Sequence, residues 1–204
     1  EKDVFHKYNT ILNNDLKGYG VLNYLTSHDD GQPFDKERKM PYKTATMLLL
    51  TPGTSQVYYG DESARDLIIE GTVGDATLRS FMNWDAINGN NETKSILNHW
   101  QKLGQFRVNH LAVGAGKHQL ISEDNGLVFS RARKAAKVVI GINLSKGNKE
   151  RNVSSVFKDG EKLNDFQVFN QKAFQFMLPE AKGIYYIEVV SHDYLRSRVK
   201  IIRD

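Results

Sequence analysis

The sequence predicts an α/β region that is followed by an all-β region. In the first half, two short apolar runs that each end in polar residues flank one helix-like segment, which is the order of a βαβ unit. Beyond Gly114 and Gly116, the chain consists of short strand-like runs separated by turn sequences. Closely spaced short strands favour antiparallel pairing. We therefore expect the second region to form a small β-sandwich.

The first apolar run, Val21 to Leu25, predicts a buried strand with polar residues at its end. Such a nearly continuous run is typical of a strand that is covered on both faces of a parallel sheet. Ser27, His28, Asp29 and Asp30 follow it directly. In parallel α/β folds, ligands bind at the carboxyl ends of the strands, so this cluster is a candidate site. The alternative is a strand followed by an Asp-rich turn without chemistry.

The segment from Pro41 to Leu50 predicts a helix between two parallel strands. Proline suits the first helical turn, and the helix stops before Pro52 because proline cannot continue it. The second strand-like run, Ser55 to Tyr59, ends in Gly60-Asp61-Glu62. With one crossover helix between them, the two strands run parallel, and their polar ends lie at the same edge of the sheet.

Two motifs in this region resemble the α-amylase family, glycoside hydrolase family 13. The end of the family's seventh barrel strand is similar to Tyr24-Leu-Thr-Ser-His28-Asp29. The eighth strand is similar to Pro52-Gly-Thr-Ser-Gln-Val-Tyr-Tyr-Gly-Asp-Glu62, and Arg79 fits the loop that commonly follows. One departure is Ser27, because the family often has Asn before the His-Asp pair.

The resemblance covers nearly the whole chain and implies its fold and domain organisation. Residues 1–112 would be the C-terminal portion of a TIM (β/α)8 barrel, from helix 6 through strand 7 to helix 8. Residues 113–204 would be the family's C-terminal antiparallel β-sandwich domain. The fold class is thus α/β plus all-β. Because the chain begins at Glu1 without an initiator Met or a signal-like segment, we also expect a piece of a longer protein.

The elements around these motifs follow from local patterns. Apolar residues at helical spacing predict a helix from Lys2 to Leu12, and Asn90 or Asn91 suits the start of a helix that continues to about His110. The long segment from Ser63 to Asn88 predicts a loop, whose aromatic residues argue against disorder. The predicted strands are 118–122, 127–133, 138–143, 166–169, 173–178 and 184–190, and the basic tail, 191–204, is a candidate edge strand.

The resemblance implies chemical roles for two residues of the polar cluster. The family counterpart of Asp29 is the third catalytic carboxylate, which holds sugar hydroxyls and supports the positively charged transition state. The counterpart of His28 hydrogen-bonds the same hydroxyls. Without the resemblance, the simplest interpretation of His28 is a core histidine bonded to a neighbour. We therefore predict that Asp29 is a catalytic transition-state stabiliser and that His28 binds substrate.

Asp30, Tyr59 and Arg79 are further candidate substrate-binding residues. The aromatic faces of Tyr59 and Trp84 suit the C–H surfaces of sugar rings, although packing within the loop is the favoured role for both. For Arg79, an ion pair with an acidic neighbour such as Asp75 is favoured over direct contact with sugar.

The implied activity is that of a retaining glycosidase acting on the α-glucosidic bonds of starch-like α-glucans or maltooligosaccharides. The family's nucleophile Asp and general acid Glu lie on strands four and five, which this chain lacks, and Asp61 and Glu62 are better explained as loop-anchoring groups. We expect the chain alone to be inactive, and to self-associate or pair with the missing barrel half. The alternative is a non-catalytic carbohydrate-binding or scaffolding fragment of an amylase homologue.

Composition and charge limit which other kinds of site and partner the chain can have. The chain has no Cys, which excludes disulfides and thiolate metal sites, and no apolar run approaches the ~20 residues that span a bilayer. Residues 1–110 carry 12 Lys or Arg against 14 Asp or Glu, and residues 111–204 carry 16 against 10. Because this basic charge is scattered, no nucleic-acid partner is expected. No cofactor is expected in this segment, calcium remains possible in the parent enzyme, and the compartment is left open.

Overall fold

The computed structural model describes residues 2–124, 126–142 and 153–158, together with the backbone of strands 183–190 and 196–203. The helices are α1 (Lys2–Asn13), α2 (Pro41–Leu49), α3 (Trp84–Gly89), α4 (Asn91–Asn109) and α5 (Ala112–Ala115). The strands are β1 (Leu22–Asn23), β2 (Thr54–Ser55), β3 (Lys117–Ser122), β4 (Leu127–Arg133), β5 (Ala136–Ile142), β6 (Gly183–Val190) and β7 (Arg196–Arg203). Two 3-10 helices cover Asp61–Ser63 and Gly74–Arg79.

The strand β1 precedes α2 in the chain and β2 follows it, and the two strands pair in parallel, as the sequence predicts. Leu22 lies opposite Thr54, and Asn23 lies opposite Ser55. Each strand has only two residues, and Leu22 is 59% exposed, so the prediction of a strand buried on both faces is wrong. The physical reason is that, within the described residues, this sheet has two strands and no layer covers the outer side of Leu22.

Three of the helices begin and end close to their predicted positions. Helix α2 has proline at its start, and six of its nine residues are buried. Helix α4 begins at its predicted cap, because the Asn90 side chain accepts a hydrogen bond of 3.0 Å from the backbone N–H of Thr93. The predicted loop between Ser63 and Asn88 instead contains a 3-10 helix and the short helix α3. No helix in the described part of the chain has the length and apolar character needed to cross a bilayer.

The second region forms antiparallel sheets. Strands β3, β4 and β5 make a three-stranded sheet in that order, with Leu127 opposite Ile142. Strands β6 and β7 pair with Gly183 opposite Arg203, so the basic tail does contain a strand. The predicted strands 166–169 and 173–178 lie outside the described residues. The sandwich therefore remains a prediction.

One hydrophobic core joins the helical region to the three-stranded sheet. Phe5 of α1 is fully buried and stacks on Phe129 of β4, with ring centroids 4.6 Å apart. Leu48 of α2 and Leu103 of α4 belong to the same cluster, which continues to Ile140 of β5. The predicted boundary after residue 112 is therefore crossed by a continuous set of apolar contacts.

Arg107 of α4 binds the carboxyl end of α2. Its guanidinium donates hydrogen bonds of 2.8 Å to the carbonyls of Leu49 and Thr51, and it also donates to the carbonyl of Gly53. The last carbonyls of a helix lack partners within the helix and carry partial negative charge. The guanidinium satisfies one such carbonyl, that of Leu49, and two more in the chain that follows the helix.

Arg131 of β4 reaches the same end of α2 from the sheet. It is fully buried and donates to the carbonyl of Leu50 at 3.0 Å and to the carbonyl of Val113. Its Nε donates to Nδ1 of His118 at 2.8 Å. Burial, and to a lesser extent the nearby Arg107 charge, lowers the pKa of Arg131 to about 9, so the group remains charged at neutral pH.

His118 is held in one neutral tautomer by its two partners. Because Arg131 only donates, Nδ1 of His118 must accept, and Nε2–H then donates to the carbonyl of Phe5 at 3.2 Å. Burial lowers the pKa of His118 from 6.5 to about 4, and the Arg131 charge lowers it further in the same direction. Protonation would convert Nδ1 into a donor and remove the hydrogen bond from Arg131, so both contacts of His118 form together only while the imidazole is neutral.

We predict that, between pH 6.5 and 4, the free energy of unfolding of the His118→Gln variant changes less with pH than that of the original chain. The folded state keeps His118 neutral in this range whereas the unfolded state protonates it, so the free energy of unfolding falls with falling pH by about 1.4 kcal/mol per unit for this group. Glutamine accepts and donates like neutral histidine but does not titrate. Urea unfolding at several pH values measures the difference, and equal slopes would contradict the prediction.

Candidate active site

The polar cluster after β1 has buried and exposed members. Thr26 and Ser27 are buried, whereas the side chain of Asp29 is 61% exposed and that of His28 is 66% exposed. The chain turns immediately afterwards, because the Asp30 carboxylate accepts a hydrogen bond of 3.0 Å from the backbone N–H of Gln32. The cluster thus presents His28 and Asp29 to solvent on a supported turn.

Asp29 is held by the residue that departs from the family pattern. The Ser27 hydroxyl donates a hydrogen bond of 2.7 Å to Oδ1 of Asp29, and Nε2 of His28 lies 3.7 Å from Oδ2. The hydrogen bond from Ser27, followed by the electrostatic interaction with His28, lowers the pKa of Asp29. The carboxylate is therefore ionised at neutral pH and remains open on its solvent side.

Arg79 joins the cluster from the second 3-10 helix. Its Nε donates to the backbone carbonyl of His28 at 3.1 Å, and its positive charge contributes to the lowered pKa of Asp29. The predicted ion pair between Arg79 and Asp75 is wrong, since the described salt bridges do not include it. The Arg79 guanidinium instead donates to the carbonyl of His28, which lies 51 residues away in the chain.

Tyr59 packs within the loop, as the sequence analysis favours. Its hydroxyl donates to the carbonyl of Ser80 at 2.8 Å, and the guanidinium carbon of Arg65 lies 3.9 Å from the centre of its ring. Trp84 behaves differently, because it is 64% exposed. The prediction that Trp84 packs in the loop is therefore wrong: it stands at the start of a helix without any buried residue.

Sequence reasoning missed the buried Arg65. Its Nε donates to the carbonyl of Tyr59 at 3.0 Å, and its guanidinium also donates to the carbonyls of Leu78 and Ser80 at 3.2 and 3.0 Å. It thereby fastens the turn after β2 to the segment that follows Arg79. It also donates to the hydroxyl of Ser80. No local pattern distinguishes a buried arginine of this kind from an exposed one, because most of its acceptors are backbone carbonyls.

Asp61 anchors the loops below the cluster, as predicted. Its Oδ1 accepts a hydrogen bond of 2.7 Å from Arg38, and both side chains are buried. Burial raises the pKa of Asp61, while the Arg38 charge opposes this effect. Arg38 also donates to the carbonyl of Arg65 at 2.8 Å, so this pair connects the loop before α2 to the turn after β2.

Asp35 is a second anchoring carboxylate that sequence reasoning missed. It accepts hydrogen bonds from the backbone N–H groups of Lys39 and Met40, at 2.9 and 2.8 Å, and lies 3.3 Å from the hydroxyl of Thr44. The run of alternating charges around it hid this role. Asp35 is not a helix cap, because it lies six residues before Pro41 and the cap position of α2 is Met40, without a side-chain hydrogen bond.

The structure brings three of the five predicted site residues together. His28, Asp29 and Arg79 share one surface, Tyr59 is connected to it through Ser80, and Asp30 supports the turn. Within the residues that the structure describes, no three His, Cys, Asp or Glu side chains gather closely enough to hold a metal ion. The arrangement can present one ionised carboxylate and one imidazole to a polar ligand.

Comparison with known proteins supports the resemblance stated above. The chain is 40% identical over 125 residues to the periplasmic alpha-amylase of Escherichia coli (strain K12), a match that covers 61% of this chain and 18% of that protein. The crystal structure of an Anoxybacillus alpha-amylase is similar in fold, with a TM-score of 0.51 and 20% identity over 71% of this chain and 35% of that chain. No protein-family model matches the chain.

These matches confirm that the chain resembles part of an α-amylase-family enzyme. The curated relative shows the likeness in sequence, and the Anoxybacillus structure shows a likeness in fold. The chain spans about a fifth of the relative's length and about a third of the solved chain, so each match concerns one part of a longer protein.

We predict that Ser27→Ala raises the pKa of the Asp29 carboxyl, because the hydrogen bond from Ser27 is the largest cause of its lowered value. The chemical shift of the Asp29 carboxyl carbon, followed by NMR during an acid titration, reports this pKa. Ser95→Ala, an exposed serine of α4, is the matched control and should leave the Asp29 titration where it was. An unchanged Asp29 titration in Ser27→Ala would show that the hydrogen bond is not formed in solution.

Proposed function

We propose that the chain is part of an α-amylase-type glycoside hydrolase that acts on the α-glucosidic bonds of starch-like α-glucans or maltooligosaccharides. The observation that carries the proposal is Asp29: an ionised, exposed carboxylate held in the turn beyond the carboxyl end of β1, beside His28 and Arg79. The sequence relative, a periplasmic alpha-amylase, supports the same assignment.

Asp29 and His28 would act on the sugar at the cleavage point. Glycoside cleavage passes through a transition state with positive charge on the sugar ring, which a fixed carboxylate stabilises. Ser27 holds Asp29 and favours its ionised form, so the negative charge is in place before substrate binds. The exposed imidazole of His28 can hydrogen-bond sugar hydroxyls, while Arg79 fixes the backbone of His28.

The domain organisation is proposed on the same basis. Residues 1–112 would be the last βα units of a (β/α)8 barrel, which the parallel pairing of β1 and β2 around α2 supports. Residues 113–204 would be the C-terminal β-sandwich domain, which the antiparallel β3–β4–β5 sheet supports. A retaining mechanism would use a nucleophile and a general acid supplied by other segments of the longer protein, so the chain alone would be inactive.

In the longer enzyme, Asp29→Asn is expected to lower kcat about 100- to 1,000-fold, because the amide removes a preorganised negative charge from the transition state. Release of reducing sugar from maltooligosaccharides and starch measures the effect. Asp15→Asn, an exposed site after α1, is the control and should retain activity. Full activity of Asp29→Asn would overturn the proposed role and favour a non-catalytic carbohydrate-binding fragment.

The 204-residue chain provides a second arm of this test. We expect it to release no reducing sugar, since it supplies one of the three carboxylates that the family uses. If the chain released reducing sugar and its Asp29→Asn variant did not, a complete site would exist within these residues. That result would contradict the proposal that the chain alone is inactive.

The isolated chain is also expected to self-associate, or to pair with the rest of the barrel when that is present. Leu22 and Tyr24 are exposed beside β1, where a cavity of about 220 Å³ opens between α1 and α2. Light scattering should give a mass well above 23.2 kDa that falls towards this value in Leu22→Asp. Val108→Asp, at an exposed position of α4, is the control. A monomer at all concentrations would contradict the prediction.

A further inference from the structure

The segment between Arg79 and α3 carries two exposed aromatic side chains. Phe81 is 97% exposed, and Trp84 is 64% exposed. Neither ring contacts another ring within the described part of the chain. The two side chains stand three positions apart in the sequence, and clustered exposed apolar side chains mark interaction sites more often than single ones do. We call residues 81–84 the aromatic segment.

The backbone of the aromatic segment is fixed at both ends. The residue before it, Ser80, has its carbonyl bound by buried Arg65 at 3.0 Å and by the hydroxyl of Tyr59 at 2.8 Å. Within it, the Asn83 side chain donates to the carbonyl of Ser63 at 3.0 Å and accepts from the Ser63 hydroxyl at 2.7 Å. The exposed rings therefore project from an ordered support, which reduces the entropy that binding would cost.

The aromatic segment is continuous with the Asp29 cluster. Arg79 donates to the carbonyl of His28 at 3.1 Å, and Phe81 follows two residues later. Two residues span at most about 7 Å, so the start of the segment lies within that distance of the Arg79 backbone, whose side chain reaches the His28 carbonyl. A linear ligand that occupies the Asp29 cluster can therefore continue over this segment.

We propose that Phe81 and Trp84 form an aromatic contact surface for the α-glucan chain, extending the site beyond the sugar held at Asp29. The inference rests on the proposed function, which supplies the ligand class. The faces of glucose units present C–H groups, and exposed aromatic rings on a fixed backbone can cover such apolar faces without requiring charge. The surface contributes to binding along the chain and does not take part in the bond-breaking step.

Titration of the 204-residue chain with maltoheptaose, followed by calorimetry, tests the proposal. Phe81→Ala and Trp84→Ala should each weaken binding about three- to tenfold, the range expected for one lost aromatic contact. Their unfolding temperatures should stay unchanged because both side chains are exposed. Tyr19→Ala removes an equally exposed aromatic residue from another loop and should bind as the original chain does. Trp84 also offers a fluorescence signal, whereas Trp100 is buried.

The outcomes separate this inference from the proposed function. Binding that is weakened by Asp29→Asn but not by either aromatic variant would overturn the aromatic surface and leave the proposed function standing. The reverse pattern would support the surface and count against the role of Asp29. The inference would be overturned if the original chain did not bind maltoheptaose. It would also be overturned if an aromatic variant changed only the mass measured by light scattering, because the segment would then be covered by protein.

Discussion

Two guanidinium groups at the carboxyl end of α2 join this helix to α4 and to the sheet of β3, β4 and β5. Arg107 approaches from α4 and Arg131 from β4, and between them they satisfy the carbonyls of Leu49, Leu50, Thr51 and Gly53. A helix end buried without such donors would leave several acceptors unpaired in the core. The arginines thus take the place of water where α2, α4 and β4 meet. These hydrogen bonds explain why the fully buried Arg131 and the partly buried Arg107 are tolerated there.

The site depends on this arrangement through the start of β2. Gly53 carries the last of these carbonyls and has a φ of +89°, and a side chain there would collide with the Val21 backbone. The close approach allows the N–H of Thr54 to bond the Val21 carbonyl at 2.7 Å, which sets the register of β1 against β2. That register brings the residues after β1 beside the turn after β2, where Asp61 and Arg65 support the loops around Asp29.

Sequence reasoning predicted the elements that depend on neighbouring residues. The proline at the start of α2, the Asn90 cap of α4 and the turn-separated strands of the sheet all carry local signals. It failed where a side chain is fixed by distant backbone. The acceptors of Arg65 and Arg131 lie up to 81 residues away, and Arg79 bonds a carbonyl rather than the nearby Asp75. Exposure of Trp84 could not be foreseen either, because it depends on how few side chains pack around the ring among the residues that the structure describes.

The continuous core has a consequence for how such chains recombine during evolution. Phe5 stacks on Phe129, and His118 links the backbone of Phe5 to Arg131, so α1 and β4 form one packing unit although more than a hundred residues separate them. An exchange between homologues at the glycine-rich junction near residue 114 would divide this unit. Sequence changes in the sheet should therefore be inherited together with compensating changes in α1. For the same reason, the junction is a poor point at which to join two homologues in a chimaera.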